Sequence, residues 1–143
     1  MRVPFKQLDA AALLPAYARS GDAGLDLSSA IDADIGPGER TLVPTGLAVA
    51  IPVGHAGLVL PRSGLAARHG LTIANAPGLI DSGYRGEVVC AMVNLDREHA
   101  VSIRRGDRIA QLVIVPAPSV EAAWVDELPA SDRGEGGFGS TGA

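Results

Sequence analysis

Five short segments carry side chains that could do chemistry. In Pro77–Glu87 (PGLIDSGYRGE) the spacing predicts a hairpin turn at Asp81-Ser82-Gly83, with Tyr84 and Arg85 starting the return strand. A carboxylate at that tip can orient a water and accept its proton. It can equally do no more than stabilise its own turn. In Pro61–Gly70 (PRSGLAARHG), Arg62 and Ser63 precede a short helical window, and Gly64 lets backbone approach closely. Helix-start N–H groups beside a guanidinium suit an anion; an ordinary cap with an exposed arginine has the same sequence. In Asp22–Ala30 (DAGLDLSSA), strand alternation points Asp26 away from Leu25 and Leu27. In Arg105–Leu112 (RGDRIAQL), Gln111 sits among Ile109, Ala110, Leu112 and Val113, so its amide needs a partner, in the scaffold or at a site. Gly134 to Thr141 spells G-x-x-x-x-G-S-T, but Ser140 stands where a Walker lysine belongs and no strand precedes it. Its glycine N–H groups, with Arg133, could still wrap a polyphosphate.

These residues need a scaffold. The chain has 143 residues, one domain's worth, and 47% are apolar, enough for a core without disulfide or metal. Glycine (18) and proline (10) make up about a fifth of it, which argues against a helical bundle and for short strands with tight turns. Strands are predicted at Thr41–Val43, Leu47–Ile51, Gly57–Leu60, Leu71–Ala74, Glu87–Leu95, Val101–Ile103, Arg108–Val115 and Val120–Val125. That spacing implies an all-β sandwich or barrel. One short helix is expected at Gly64–His69, with Ser63 as N-cap and Gly70 closing it. The last fourteen residues, ASDRGEGGFGSTGA, have almost nothing to bury and read as a mobile arm following a β-domain of residues 1–130.

Composition excludes several classes. The net charge of −4 disfavours non-specific duplex binding, so no nucleic-acid partner is expected, although eleven of the twelve cations are arginine. Cys90 is the single cysteine, and His55, His69 and His99 lack ligand spacing, so neither a disulfide nor a zinc site is expected. The apolar patch Ala10–Leu14 is too short for a signal core, and no run reaches a membrane span. A cytoplasmic protein with no membrane partner is the expectation.

Taken in order, AGLDL, PRSGLA, GLIDSGYRGE, RGDRIAQL and RGEGGFGSTG closely resemble the five motifs of the trimeric deoxyuridine triphosphatase (dUTPase) family, across Asp22–Gly142. The resemblance implies a distorted jelly-roll β-fold and a homotrimer whose active sites are shared between subunits. It implies hydrolysis of dUTP to dUMP and pyrophosphate with Mg2+, which supplies dUMP for thymidylate synthesis and keeps uracil out of DNA. By this resemblance Asp81 activates the attacking water, and Arg62, Ser63 and Gly64 bind phosphate from a neighbouring subunit. Gln111 touches the phosphate and nucleophile region, and Asp26 reaches Mg2+ through water. Asn75, Gly78, Leu79 and Ile80 line the uracil, within a hairpin Leu71–Glu87, and Tyr84 lies under the deoxyribose. Val89 stands where the family often has another residue near the substrate. In the arm, Arg133 resembles the γ-phosphate arginine, Phe138 the ring stacked on uracil, and Gly139, Ser140 and Thr141 the phosphate lid. Two other readings are a relative of the dCTP deaminases, which share this fold, and a non-catalytic nucleotide-sensing homologue.

Overall fold

The structure is a computed structural model that describes residues 1–132 and 134–135. Short apolar runs broken by glycine and proline become ten strands and one helix among these residues. They are β1 (Phe5–Gln7), β2 (Leu25–Ser28), β3 (Ala33–Ile35), β4 (Arg40–Val49), β5 (His55–Pro61), α1 (Ser63–His69), β6 (Leu71–Ile73), β7 (Gly78–Ile80), β8 (Glu87–Asn94), β9 (Val101–Ile103) and β10 (Arg108–Pro116). One sheet has the order β1-β4-β8-β6, a second β2-β10-β5-β7, and β3 pairs with β9. Every pairing is antiparallel. The fold is a jelly-roll sandwich and not a closed barrel.

The core follows from strand alternation. Along β8, Val88, Cys90, Met92 and Asn94 are buried, while the residues between them are less so. Val88, Cys90 and Met92 meet Leu27, Val59, Ile80 and Leu112 of the other sheet in one apolar cluster. The one long polar side chain inside, Asn94, is satisfied. Its Nδ2 donates to the Ile35 carbonyl at 3.0 Å and the His99 carbonyl at 2.8 Å, and its Oδ1 accepts from the Asp96 N–H at 2.9 Å.

Several expectations are corrected. The strands predicted on either side of Pro44-Thr45-Gly46 are one strand, β4, with a register shift between Pro44 and Ala48. This irregular stretch is pinned to β8: Thr45 Oγ1 donates to the Val88 carbonyl, and the Gly46 N–H donates to Glu87 Oε1, both at 2.7 Å. Helix α1 begins at Ser63, with Arg62 as N-cap, because the Arg62 carbonyl already accepts from the Leu65 and Ala66 N–H groups. Val120–Val125 forms no strand. Among the described residues it pairs with no strand, and Val120 and Trp124 stand in solvent. Asp81 does open a turn, with the Tyr84 N–H donating to its carbonyl at 3.1 Å, but the following strand starts only at Glu87. Leu71–Glu87 is also not a hairpin, since β6 pairs with β8 while β7 pairs with β5 in the other sheet. The turn after β7 therefore crosses between sheets, which opens the space described next. Strands β1, β3 and β7 go unpredicted: none of FKQ, ADI and GLI carries β-branched residues at both ends, as the equally short β9 (VSI) does with its valine and isoleucine.

Candidate active site

Where the chain leaves β7 in one sheet and enters β8 in the other, a cavity of about 220 Å³ remains between them. Its apolar floor is Val59, Ile73, Ile80, Val88 and Cys90; Asn75, Gly78, Leu79, Asp81, Tyr84 and Val89 surround it. Burial pushes the Cys90 thiol up to about 12, so the floor stays neutral. Asp81 is exposed at the end of β7. Tyr84 is held on its far side. Its hydroxyl donates to the Glu87 carbonyl at 2.9 Å, and its ring lies so close to Gly86 that no Cβ would fit there. Arg85 Nη1 closes the turn by donating to the carbonyls of Ser82 at 2.7 Å and Tyr84 at 2.6 Å. The cavity thus offers an apolar slot, backbone polar groups and the exposed carboxylate of Asp81. Such a slot suits a flat heterocycle with polar edges.

A second cleft, of about 390 Å³, lies over β2, β10 and the start of α1. Its polar lining includes Asp22, Asp26, Arg62, Ser63, Arg68 and Gln111. Asp26 and Gln111 are direct cross-strand neighbours, so both side chains leave the same face of the sheet. Gln111 Nε2 donates to the Pro61 carbonyl at 3.1 Å. Its Oε1 fills the space beside Gly24, where a Cβ would come within 2.7 Å of it. Asp26 is clamped between two arginines. Its Oδ1 is 3.3 Å from Arg62 Nε and its Oδ2 accepts from Arg108 Nη1 at 3.0 Å. Arg62 Nη1 also donates to the Arg108 carbonyl at 3.0 Å. Cations held in place on one wall suit a phosphorylated ligand.

A divalent ion fits this second cleft in one way only. Among the described residues no three His, Cys, Asp or Glu side chains cluster as a metal cage. Each Asp26 oxygen has one arginine partner and keeps lone-pair capacity for a water. That suits Mg2+, which retains its waters and relies on substrate phosphates.

The residues expected from the sequence therefore divide. Asn75, Gly78, Leu79, Ile80, Asp81, Tyr84 and Val89 line the first cleft; Asp26, Arg62, Ser63, Gly64 and Gln111 line the second. Among the described residues none lines both. Arg133, Phe138, Gly139, Ser140 and Thr141 lie outside the described residues. Sequence reasoning missed Arg108. Counting alternation back from Gln111 puts residue 108 on the core side of β10. A bulge between Arg108 and Ala110 sets Arg108 opposite Ser28 instead, on the face of Asp26 and Gln111, while Ile109 is buried.

Comparisons with known proteins point to one family. The dUTPase family profile matches residues 10–142. A deoxyuridine 5'-triphosphate nucleotidohydrolase of Thermobifida fusca is 54% identical over 142 residues, 99% of this chain and 79% of that relative. One of Mycobacterium sp. (strain JLS) is 57% identical over 141 residues, 95% of this chain and 92% of that relative. Among solved structures, the Staphylococcus bacteriophage 80alpha dUTPase with dUPNHPP superposes with a TM-score of 0.91 at 33% identity, covering 99% of both chains. A mutant dUTPase from phage phi11 of S. aureus, described with a structural Mg(II) ion, superposes with a TM-score of 0.84 at 29% identity, covering 91% of this chain and 100% of that one.

Proposed function

The chain belongs to the dUTPase family and is a dUTP diphosphatase, and from that premise we propose how its two clefts divide the work on dUTP. The first cleft takes the uracil and deoxyribose, and the second, from a neighbouring subunit, takes the triphosphate. Water attacks the α-phosphorus, and dUMP and pyrophosphate leave. The observation that carries this reading is that Asp81 and Tyr84 share one small cavity with the backbone that would read the base.

Asp81 orients the attacking water and takes its proton as charge builds on the phosphate. Arg62, Ser63, Gly64 and Gln111 bind and orient the phosphate chain. Asp26 would hold a bound Mg2+ through water, and the ion would supply charge neutralisation to the phosphates. Backbone groups of the first cleft, with Asn75, pair with the uracil carbonyls and N3–H. Cytosine carries an amino group at position 4 and no N3 proton, so at least two groups lose partners. Each unpaired buried group costs about 1–3 kcal/mol, which supports roughly 10²- to 10⁴-fold rejection of dCTP. Tyr84 presses on the sugar where a 2′-hydroxyl would lie.

Three features support a homotrimer with shared sites. The two clefts share no described lining residue. Leu42, Leu79, Val120, Trp124 and Leu128 are exposed apolar side chains on a chain whose relatives are trimeric by family resemblance. The segment Val120–Val125 pairs with no strand among the described residues. In the same reading the arm from residue 131 closes over the third side of the site, with Arg133 on the γ-phosphate, Phe138 on the uracil and Gly139, Ser140 and Thr141 on the phosphates.

The test is pyrophosphate and ammonia release from dUTP, UTP, dTTP and dCTP, with and without Mg2+. Pyrophosphate from dUTP alone, dependent on Mg2+, is expected. Ammonia from dCTP would favour the deaminase reading, and no turnover with retained binding would favour a nucleotide sensor.

A further inference from the structure

We propose that Arg108 is a positioning residue of the phosphate cleft, which holds Asp26 and Arg62 in the geometry that presents Arg62 to the triphosphate. The inference rests on the function proposed above and adds to it a residue outside the expected set.

Arg108 acts at two points. Its Nη1 donates to Asp26 Oδ2 at 3.0 Å, and its backbone carbonyl accepts from Arg62 Nη1 at 3.0 Å. Asp26 Oδ1 in turn faces Arg62 Nε at 3.3 Å. Arg62 is thereby held by an ion pair at Nε and a hydrogen bond from Nη1, and its other N–H groups have no partner among the described residues. Arg108 itself does not line the cleft that holds Ser63, Gly64 and Gln111. It stands behind Asp26. The bulge at the start of β10 is what turns it there.

Removing the Arg108 side chain would have two consequences. The trio of Arg62, Arg108 and Asp26 would fall from one net positive charge to none, weakening its attraction for a polyanion. Asp26 Oδ2 would also become free, and a carboxylate with two free oxygens matches the guanidinium fork bidentately. Arg62 would then turn more of its N–H groups to Asp26 and fewer to phosphate. The base cleft contains neither residue and would be untouched.

The experiment compares Arg108→Gln and Arg108→Lys with the unmodified full chain. The readouts are KM and kcat for dUTP, direct binding of inorganic pyrophosphate and of deoxyuridine, and the slope of kcat/KM against ionic strength. Arg108→Gln should raise KM and weaken pyrophosphate binding by about tenfold, the scale of one charge-assisted hydrogen bond. Its salt slope should be shallower, its kcat should stay within about threefold, and deoxyuridine binding should not change. Arg108→Lys restores one charged donor to Asp26 and should recover most of the loss. Unchanged KM, pyrophosphate affinity and salt slope in Arg108→Gln would overturn the proposal, even with a lowered Tm. Equal loss of deoxyuridine and pyrophosphate binding in both variants would also overturn it. If Arg108→Gln fails to fold, Arg108→Lys with a wild-type salt slope but a tenfold higher KM would count against it, and near-normal constants for it. Absence of dUTP turnover in the unmodified chain would instead defeat the functional reading, which the pyrophosphate measurement does not require.

Discussion

The two clefts are built on opposite principles. The β7–β8 cleft has an apolar floor of strand residues from both sheets, and its polar edges are mostly backbone. Its one shaped side chain, Tyr84, is locked by a backbone hydrogen bond and by contact with Gly86. The β2–β10 cleft is lined by long charged side chains that pair with one another. The first can discriminate by shape and by partners that cannot move. The second can attract and orient charge and will feel salt. A base needs the first kind of site and a triphosphate the second.

The largest effect should come from Asp81, the exposed carboxylate of the shape-reading cleft. Asp81→Asn is expected to keep dUTP binding while kcat falls on the order of 10²–10⁴-fold. Near-normal turnover would return Asp81 to a turn-stabilising role.

The proposed sharing of sites can be broken directly. Chains carrying Asp81→Asn and chains carrying Arg62→Gln should each be nearly inactive. In a one-to-one mixture refolded together, about a quarter of the sites would combine two intact clefts from different chains. Activity should therefore rise well above the sum of the parents. A mixture no better than its parents would place both clefts of a site in one chain, or show that no trimer forms.

Two glycines sharpen the contrast at smaller scale. Gly86→Ala meets the Tyr84 ring, and Gly24→Ala meets Gln111 Oε1. Overpacking of this kind costs about 1–3 kcal/mol, so each should lower kcat/KM for dUTP by roughly tenfold. Only Gly86→Ala should reduce the preference for dUTP over UTP. Only Gly24→Ala should weaken pyrophosphate binding. Matched changes in both readouts for either variant would show that the clefts are mechanically coupled.

The smallest effect concerns the neutral floor. The Cys90 thiol is pushed up to about 12 from a usual 9.0. In the unfolded chain it loses its proton first, so this contribution to stability is complete below pH 9.0 and is lost as pH rises towards 12. Urea midpoints for the wild type should fall between about pH 8 and about pH 10 by more than those of Cys90→Val. Parallel falls would mean that the thiol is solvated.

Much of the site was legible because its residues come in short local segments. Asp81, Arg62, Ser63, Gly64 and Gln111 were identified within their own motifs, and alternation placed Asp26 on the correct side of β2. The strand at Val120–Val125 failed because residue pattern reports only the tendency to pair, and among the described residues this segment joins neither sheet. The Leu71–Glu87 hairpin failed for a related reason. A turn signal says that the chain reverses, not which sheet it enters next.

The sequence by itself determined the strand-rich class, the short helix at residues 64–69, the runs that become β8 and β10, and the residue types of each motif. Those properties rest on period, propensity and local turn residues, which act over a few positions. Only the tertiary structure decided that β7 and β8 belong to different sheets, that base-side and phosphate-side residues lie in separate clefts, and that Arg108 joins Asp26. Each of these depends on a partner distant in the chain. A single extra residue in β10 reverses the facing of what precedes it, and nothing in the run RGDRIAQL announces that bulge. It shows only in the register of β10 against β2, which shifts between Arg108 and Ala110 while the pairing with β5 runs unbroken from Ala110.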